Sequence, residues 1–242
     1  MRAIAAVLLS MAAHAQQQPA ARPEFEVVSV KPGDPADPSS SGRTTPGGLE
    51  MRNTTLKNLV RSAYQLNEYQ LEGGPKWMDS ARFNIDAKLP AGVPRDQIPQ
   101  MMQALLADRF KLEFHRATKT LPEYALVVAK GGPKLPVAGE DDLKRVRSSQ
   151  GDRQLKAWGM PISSLANMLI SAVGAPVLDR TGLDGKYNFI LEFAPLFGTP
   201  REDETLPTIF VVLQEKLGLK LEAIKGPVEV LVIDRAEMPA EN

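Results

Sequence analysis

The segment from Asp179 to Lys186 carries the densest group of side chains that could do chemistry. Asp179, Arg180, Asp184 and Lys186 surround two glycines there, an arrangement that suits the polar rim of a ligand pocket or a calcium-binding turn. The ligand spacing of an EF-hand loop is missing, which argues against calcium. Asp and Gly also supply the backbone geometry of a plain tight turn between two strands. A ligand-binding rim and a structural turn are therefore both consistent with the sequence.

Trp77 is the second candidate for ligand contact. It follows a turn formed by Gly73, Gly74 and Pro75, and an exposed tryptophan beside a turn can mark a binding surface. A tryptophan in this position can equally close the edge of a core. We predict that the ligand-binding residues are Trp77 and the four charged residues of the 179–186 turn, Asp179, Arg180, Asp184 and Lys186.

Signatures of catalysis are missing elsewhere in the sequence. The chain has two histidines and no cysteine, which excludes thiolate metal sites, cysteine nucleophiles and disulfides. His14 lies in the N-terminal segment described next, so His115 alone remains, and two-histidine zinc motifs are excluded as well. No G-x-S-x-G, S-x-x-K or P-loop motif occurs. We therefore predict no catalytic residue, no metal and no cofactor, with His115 a surface residue.

The first fifteen residues have the order of a secretory signal peptide. Arg2 supplies the positive charge, an apolar run follows from Ala3 to Ala13, and Ala13-His14-Ala15 matches the A-x-A cleavage pattern. The apolar run is short for a bilayer span, although an uncleaved anchor is the alternative. No later stretch reaches the ~20 apolar residues of a spanning helix. We expect cleavage after Ala15 and a periplasmic or secreted protein without a membrane span.

The charge balance argues against a polyanionic partner. Lys plus Arg and Asp plus Glu both number 29, so the formal net charge is zero, and no net field draws the protein to nucleic acid or to an anionic membrane. The composition is 43% hydrophobic and 24% charged, which is that of a globular protein with a core. The partners we expect are an extracytoplasmic protein or a small ligand, and no nucleic acid.

The elements that must position these groups follow from hydrophobic periodicity. From Ile98 to Leu106 the apolar residues recur at the spacing of one helical face. From Phe110 to Phe114 they alternate, as in a strand with one buried face. Leu121-Pro122 then punctuates the chain, and residues 124–129 read as a second strand. The pattern predicts a helix followed by two strands.

The earlier part of the chain reads in the same way. We predict a strand at 25–30, a long surface loop at 31–48 because of its prolines and glycines, and a short strand at 49–52. A helix follows from Leu56, and residues 82–89 alternate as a strand. Periodicity also selects residues that should be buried: Leu59, Leu105, Phe114, Leu169, Leu213 and Val232.

The second half of the chain repeats the first. Four blocks pair in the same order: 51–58 with 160–167, 82–85 with 186–189, 111–113 with 220–222, and Pro122, Leu126 and Val127 with Pro227, Leu231 and Val232. An internal duplication explains this order. We divide the chain into a signal peptide (1–15), a flexible leader (16–24), a first repeat half (25–138), a charged linker (139–153) and a second repeat half (154–242).

The repeat predicts the fold class. Each half reads strand, helix, strand, strand, helix, strand, strand, and adjacent strands joined by short turns pair antiparallel. The sequence therefore predicts an α+β fold of duplicated β-α-β-β-α-β-β units, with the helices packed on a mainly antiparallel sheet.

Five separated blocks carry a resemblance to a known family: FEVVSVKP, ARFNIDAKLP, LLADRFKLEFHRATKTLPEYALVVAKGGPKL, PVLDRTGLDGKYNF and EKLGLKLEAIKGPVEVLVIDRAEMPAEN. Together they resemble a soil-associated family of secreted acidobacterial proteins, a domain of unknown function. Similar domains occur attached to membrane metallopeptidases of the antibiotic-sensor type, which implies an extracytoplasmic sensing or binding role. The resemblance supplies no catalytic residue. This chain lacks a peptidase segment, so a sensing role would depend on a separate partner.

Two classes of function stay open. The first is a non-catalytic extracytoplasmic module that binds a ligand or a protein, and the second is a hydrolase that acts on cell-wall or environmental polymer. Carboxylates that converge in one cleft would favour the hydrolase. An exposed sheet edge or an apolar groove would favour binding. The missing catalytic motifs lead us to expect the binding module.

Overall fold

The computed structural model of the chain describes residues 23–197 and 205–240, so the predicted signal peptide lies outside the described residues. In chain order the elements are β1 Val27–Pro32, β2 Ser41–Thr45, β3 Gly48–Thr55, α1 Leu56–Tyr64, β4 Leu71–Gly73, β5 Arg82–Lys88, α2 Ile98–Arg109, β6 Glu113–Val128, α3 Glu140–Lys144, β7 Arg147–Gln150, β8 Gln154–Pro161, α4 Ile162–Val173, β9 Val177–Asp179, β10 Lys186–Glu192, α5 Ile209–Val212 and β11 Leu219–Arg235. No helix in these ranges is long and apolar enough to cross a membrane.

The elements form an α+β fold. The described residues make five helices and three sheets, in which the strand pairs are antiparallel except for β4 with β11 and β6 with β9. The predicted fold class is confirmed at this level.

The first lobe is built on a four-stranded sheet with the order β1-β5-β3-β2. Helices α1 and α2 contact each other and share one apolar core with this sheet. The fully buried side chains of this core include Leu56, Leu59, Ile85, Leu106 and Phe110. Helical spacing in α1 and α2 and strand alternation in β5 bring these side chains together, as the sequence predicts.

Helix α1 illustrates how local sequence sets an element. Thr55 caps its start, because the Thr55 hydroxyl accepts a hydrogen bond from the backbone N–H of Asn58 at 3.2 Å. Leu59 and Ala63 lie on the buried face of the helix. The helix ends at Gln65, which adopts the left-handed conformation with φ of 54° and donates its N–H to the carbonyl of Arg61.

The second lobe is built on a three-stranded sheet with the order β10-β8-β7. Helix α4 packs in its core together with α5, which continues as a π-helical turn over Leu213–Leu217. Leu155, Leu165, Leu169 and Leu191 are fully buried there. The charged segment 139–153 contains α3 and β7, and β7 pairs along β8.

Strands β6 and β11 connect the two lobes. They pair antiparallel along their whole length, from Glu113 with Arg235 to Val128 with Leu219. At one end Ile233 packs in the core of the first lobe, and at the other end Leu126 and Leu219 pack in the core of the second. Each long strand thus begins in one lobe and ends in the other. We call this pair the central ribbon.

The sequence interpretation of residues 110–129 is wrong in one respect: β6 is a single strand that runs through Pro122. The N–H of Tyr124 donates to the carbonyl of Pro176 at 2.8 Å, on the side away from β11. Backbone groups two residues apart point the same way in a strand, so the nitrogen of Pro122 also faces away from β11. The missing N–H therefore removes no bond from the ribbon.

The predicted long loop at 31–48 contains a strand. β2 pairs with β3 from Ser41 with Arg52 to Thr45 with Gly48, across a tight turn. The side chains of β2 are mostly exposed, so no hydrophobic alternation marks the strand in the sequence. Backbone hydrogen bonds hold β2 in place, with an ion pair between Arg43 and Glu50 at 2.7 Å.

The predicted core is largely confirmed. Leu59, Leu105, Leu169 and Leu213 are all buried. Phe114 and Val232 are only half-buried. Val232 lies between Leu231 and Ile233, which are buried in the first core, so its side chain faces the opposite side of the ribbon. The ring of Phe114 meets that of Tyr64 edge-on, with centroids 4.9 Å apart.

Candidate functional site

The 179–186 turn connects β9 to β10 in the second lobe. Oδ1 of Asp179 accepts hydrogen bonds from the backbone N–H and the hydroxyl of Thr181, at 3.0 and 2.8 Å. The Thr181 hydroxyl in turn accepts from the N–H of Leu183 at 3.2 Å. Gly182 takes the left-handed conformation with φ of 68°. The Asp179 carboxylate thus holds the turn, as the structural interpretation of this segment requires.

The other predicted site residues lie apart from a shared cavity. Arg180, Asp184 and Lys186 are exposed. Trp77 is half-buried in the first lobe, where its ring meets Phe83 edge-on with centroids 6.3 Å apart. None of the cavities described below is lined by these residues. A ligand-binding role for Trp77 and the turn stays a prediction.

His115 lies on the exposed surface of the central ribbon. Its Nδ1 is 2.9 Å from Oδ1 of Asp234, and both side chains are about half exposed. Arg116 on β6 forms an ion pair with Glu229 on β11, and Lys119 on β6 forms one with Glu72 on β4. Exposed pairs of this kind contribute little to stability. Within the described residues, no group of three or more metal-ligating side chains forms around this histidine or anywhere else.

An acidic cavity of about 370 Å³ opens between β1 and α2, lined by Glu24, Glu26 and Asp108. Glu26 pairs with Lys88 at 2.6 Å, and Asp108 lies 3.4 Å from Arg109. Hydrolysis of a glycoside needs one carboxyl group held protonated in an apolar environment. Two of these three carboxylates are instead ion-paired and solvated, so the acidic cavity offers a weak hydrolase site.

A second cavity, of about 400 Å³, lies in the first lobe between β2 and α1. Its polar lining consists of Ser40, Ser41, Thr54, Asn58, Arg61 and Ser62. We call it the Arg61 cavity. It combines four hydroxyl groups, a carboxamide and one guanidinium, and no carboxylate or histidine among the described residues lines it.

Two elements position these groups. Asn58, Arg61 and Ser62 stand at i, i+3 and i+4 in α1, which places them on one helical face. The pairing of β2 with β3 brings the start of β2 to that face, since Gly42 pairs with Met51. The apolar stripe of α1 is buried on the opposite side. The cavity therefore exists because one face of α1 is polar and β2 lies beside it.

Arg61 is the only ionisable residue among the described residues that line the cavity. None of the described residues accepts a hydrogen bond from its guanidinium or forms an ion pair with it, and its Nε is buried without a partner. Buried donors without an acceptor are uncommon in native structures, because each costs about 1–3 kcal/mol. The residue lies in the last turn of α1, where a cation also favours the helix dipole.

The chemistry available in the Arg61 cavity is that of binding. The guanidinium can hold an anion through two parallel N–H donors, and the hydroxyl and amide groups can donate and accept. A general acid, a general base and an activated nucleophile are missing from the lining. Sequence reasoning missed this site because β2 was assigned to a loop. The polar spacing of Asn58, Arg61 and Ser62 was the available signal.

The profile of one protein family, described as a protein of unknown function (DUF3738), matches residues 57–236. The chain belongs to the DUF3738 family. The DUF3738 match contains Asn58, Arg61 and Ser62, whereas Ser40 and Ser41 precede it. No curated protein and no solved structure matches the chain significantly. Membership of the DUF3738 family therefore indicates no function by itself, and the evidence for function is the chemistry of the Arg61 cavity.

Proposed function

We propose that the protein is a non-catalytic ligand-binding module and that the Arg61 cavity is its binding site. The observation that carries this proposal is a guanidinium without a protein acceptor among the described residues, inside a cavity whose other polar groups are neutral. Two arginines of the adjacent sheet are ion-paired: Arg43 with Glu50, and Arg52 with Asp86 at 2.6 Å. Arg61 therefore has its full charge available for a ligand.

A hydrolase of cell-wall or environmental polymer is the alternative, and the acidic cavity is where it would act. Its support is the convergence of Glu24, Glu26 and Asp108 on one opening. The setting of Glu26 and Asp108 opposes it, because both carboxylates are ion-paired and exposed to solvent, whereas a glycosidase acid lies in an apolar environment. We therefore place binding ahead of hydrolysis.

Export of the protein is part of the proposal. The charged residue, apolar run and A-x-A pattern of residues 1–15 support a signal peptide that is removed before Gln16. The balance of charges, 29 of each sign, supports a small ligand or an extracytoplasmic protein as the partner and opposes nucleic acid. The module would work in the periplasm or outside the cell, without a cofactor.

We also infer that the two lobes descend from one duplicated unit. Leu56 and Ile162 begin α1 and α4 at an offset of 106 (162 − 56), close to the offset of 109 in the sequence pairing. β4 adds to β11 in parallel, as β9 adds to β6. The backbone N–H groups of Asn53 and Gly159 both donate to an asparagine side chain on the neighbouring strand, at 2.9 Å in each lobe.

The duplication restricts the binding site to one lobe. Arg61 corresponds to Asn167 at the offset of 106 between the helix starts, and to Ile170 at the offset of 109 in the sequence pairing. At either offset the second lobe presents an uncharged residue where the first presents a guanidinium. One binding site per chain is the expected stoichiometry.

The test begins with protein exported under its own N-terminal segment. Mass spectrometry should place the mature N-terminus at Gln16. The recovered protein is then screened by ligand-observed NMR against peptidoglycan fragments, plant polysaccharide fragments and generic ester and glycoside substrates, with binding and turnover scored separately. We expect binding without turnover, and a loss of at least tenfold in affinity for Arg61→Gln.

The matched control is Arg95→Gln, which removes one charge from an exposed residue of the same lobe and leaves the cavity intact. Equal losses in Arg61→Gln and Arg95→Gln would show that the effect is a general one of charge. Turnover that disappears in Glu24→Gln would establish the hydrolase and overturn the binding proposal.

A further inference from the structure

We infer that the ligand of the Arg61 cavity carries one carboxylate flanked by hydroxyl groups, as a sugar acid does. This inference rests on the proposed binding function and names its ligand class. It follows from the charge of the cavity, the geometry of the guanidinium and the kinds of neutral group around it.

The charge of the cavity fits a monoanion. Arg61 supplies the only charge among the lining residues that the structure describes. Phosphate sites usually combine several donors at a helix N-terminus or more than one cation. Arg61 lies instead in the last turn of α1, where the helix dipole is negative and opposes a second negative charge. A single carboxylate balances the guanidinium without leaving excess negative charge in the cavity.

The neutral groups fit hydroxyls on the ligand. Ser40 and Ser41 on one wall and Ser62 on the other can each donate and accept a hydrogen bond. Asn58 adds a carboxamide that can bind two neighbouring hydroxyl groups. A ligand with only an apolar body would leave these groups unpaired, at a cost for each one.

The remaining wall fits the carbon skeleton of a sugar ring. Met51 and Leu66 line the cavity beside the polar groups. The C–H face of a pyranose ring can pack on such side chains while its hydroxyls reach the serines. A volume of about 400 Å³ lies in the range of small-molecule pockets, which suits one terminal sugar unit.

The experiment compares matched ligands by isothermal titration with the mature protein. Glucuronate is set against glucose, which has the same ring without the carboxylate, and against glucose 6-phosphate, which carries a dianion. Alanyl-alanine supplies a carboxylate without hydroxyls. We expect glucuronate to bind at least tenfold more tightly than each of the other three.

Variants assign the site. Arg61→Gln should abolish the preference for glucuronate over glucose, and Arg61→Lys should retain part of it, because lysine keeps the charge and loses the planar fork. Ser62→Leu, on the exposed side of α1, should block the cavity for every ligand. Arg95→Gln should leave all affinities unchanged. Circular dichroism of each variant verifies that it is folded.

The outcomes separate this inference from the proposed function. If glucose or glucose 6-phosphate binds as well as glucuronate and Ser62→Leu removes that binding, the ligand class is wrong and the binding function stands. Preferential binding of alanyl-alanine would likewise overturn the sugar acid. If binding occurs and Ser62→Leu and Arg61→Gln leave it unchanged, the Arg61 cavity is not the site, and both proposals fail. Absence of glucuronate binding overturns the present inference alone.

Discussion

Arg61 and Tyr69 show how the surroundings of one residue set its role. Arg61 has the same side chain as Arg43 and Arg52, which meet carboxylates on the sheet surface. The fold gives Arg61 no such partner among the described residues, so its charge faces a cavity. Tyr69 is half-buried in the one-turn helix Glu68–Gln70 that contacts β11. Burial disfavours its ionised form and raises the pKa of its hydroxyl.

The raised pKa of Tyr69 predicts a loss of stability at high pH. The unfolded chain ionises this tyrosine near pH 10, whereas the folded protein holds the proton to a higher pH. The stabilisation is complete below pH 10 and is lost as pH rises through the folded pKa. Tyr69→Phe removes this pH-dependent loss of stability. Urea unfolding at pH 8 and pH 11 should show a smaller loss of unfolding free energy for Tyr69→Phe than for the wild type.

All other titrating groups are shared by the two proteins, so they cancel in this comparison. Tyr69→Phe also loses the hydrogen bond that the Asn67 side chain donates at 3.2 Å, which by itself lowers the pKa of Tyr69 and is outweighed by burial, so the comparison measures the net effect of the two. Equal losses of stability in the two proteins would show that burial of Tyr69 does not favour its neutral form.

The central ribbon is the element that the sequence pattern indicates least, because each of its strands contains a proline. Pro122 on β6 and Pro227 on β11 both lie within it. The two strands can lie this close at the middle of the ribbon because residue 226 is a glycine. A Cβ atom there would overlap the carboxylate of Glu123. Glu123 is 6% exposed, so its side chain has little room to move away. Gly226 and Glu123 thus form one packing unit between the paired strands.

This contact predicts a strong coupling between two substitutions. Gly226→Ala alone should destabilise the protein by about 1–3 kcal/mol, because the added methyl group overpacks the ribbon. In a Glu123→Ala background the same change should cost much less, since the side chain that it meets is gone. A double-mutant cycle measured by urea unfolding should give a coupling of about 0.5–3 kcal/mol. Additive effects would mean that the strain at Gly226 has another cause.

At the scale of the whole molecule, the central ribbon makes the lobes depend on each other. Ile233 and Leu126 belong to different strands and different cores, yet each strand continues into the other lobe. Loss of either core therefore exposes part of a strand that the other core needs. We expect the two lobes to unfold in one cooperative transition.

The two tryptophans provide a reporter for each lobe. Trp77 packs on the first core, and Trp158 lies on β8 in the second lobe with the guanidinium of Arg147 4.3 Å above its ring. Leu59→Ala should cost about 2–5 kcal/mol through the cavity that it leaves in the first lobe. Trp158 alone reports unfolding in a Trp77→Phe background, and Trp77 alone reports it in a Trp158→Phe background. Leu59→Ala should shift the urea unfolding midpoint by the same amount in both backgrounds.

Leu169→Ala is the reciprocal change in the core of the second lobe. It should shift the unfolding midpoint reported by Trp77 as much as the midpoint reported by Trp158. A shift confined to the tryptophan of the mutated lobe would show that the lobes unfold independently and that the ribbon does not couple them.

The sequence by itself determined several elements of the first lobe and the kinds of site that its composition excludes. Helical spacing identified α1 and α2, and alternation identified β5, because these patterns report which face of a local segment is buried. Leu59 and Leu169 were found in the core for the same reason. The absence of cysteine and the scarcity of histidine excluded whole classes of metal and nucleophile sites directly.

Only the tertiary structure decided how these elements combine. The pairing of Glu113 with Arg235 joins residues far apart in the chain, and β2 carries exposed side chains without an apolar period. Backbone hydrogen bonds hold the central ribbon and β2 in place, and such bonds do not depend on an apolar pattern of side chains. The Arg61 cavity depends on β2, so it appeared only when the packing of β2 beside α1 was known. A binding site formed by contacts between distant segments is a property of packing, which local periodicity does not encode.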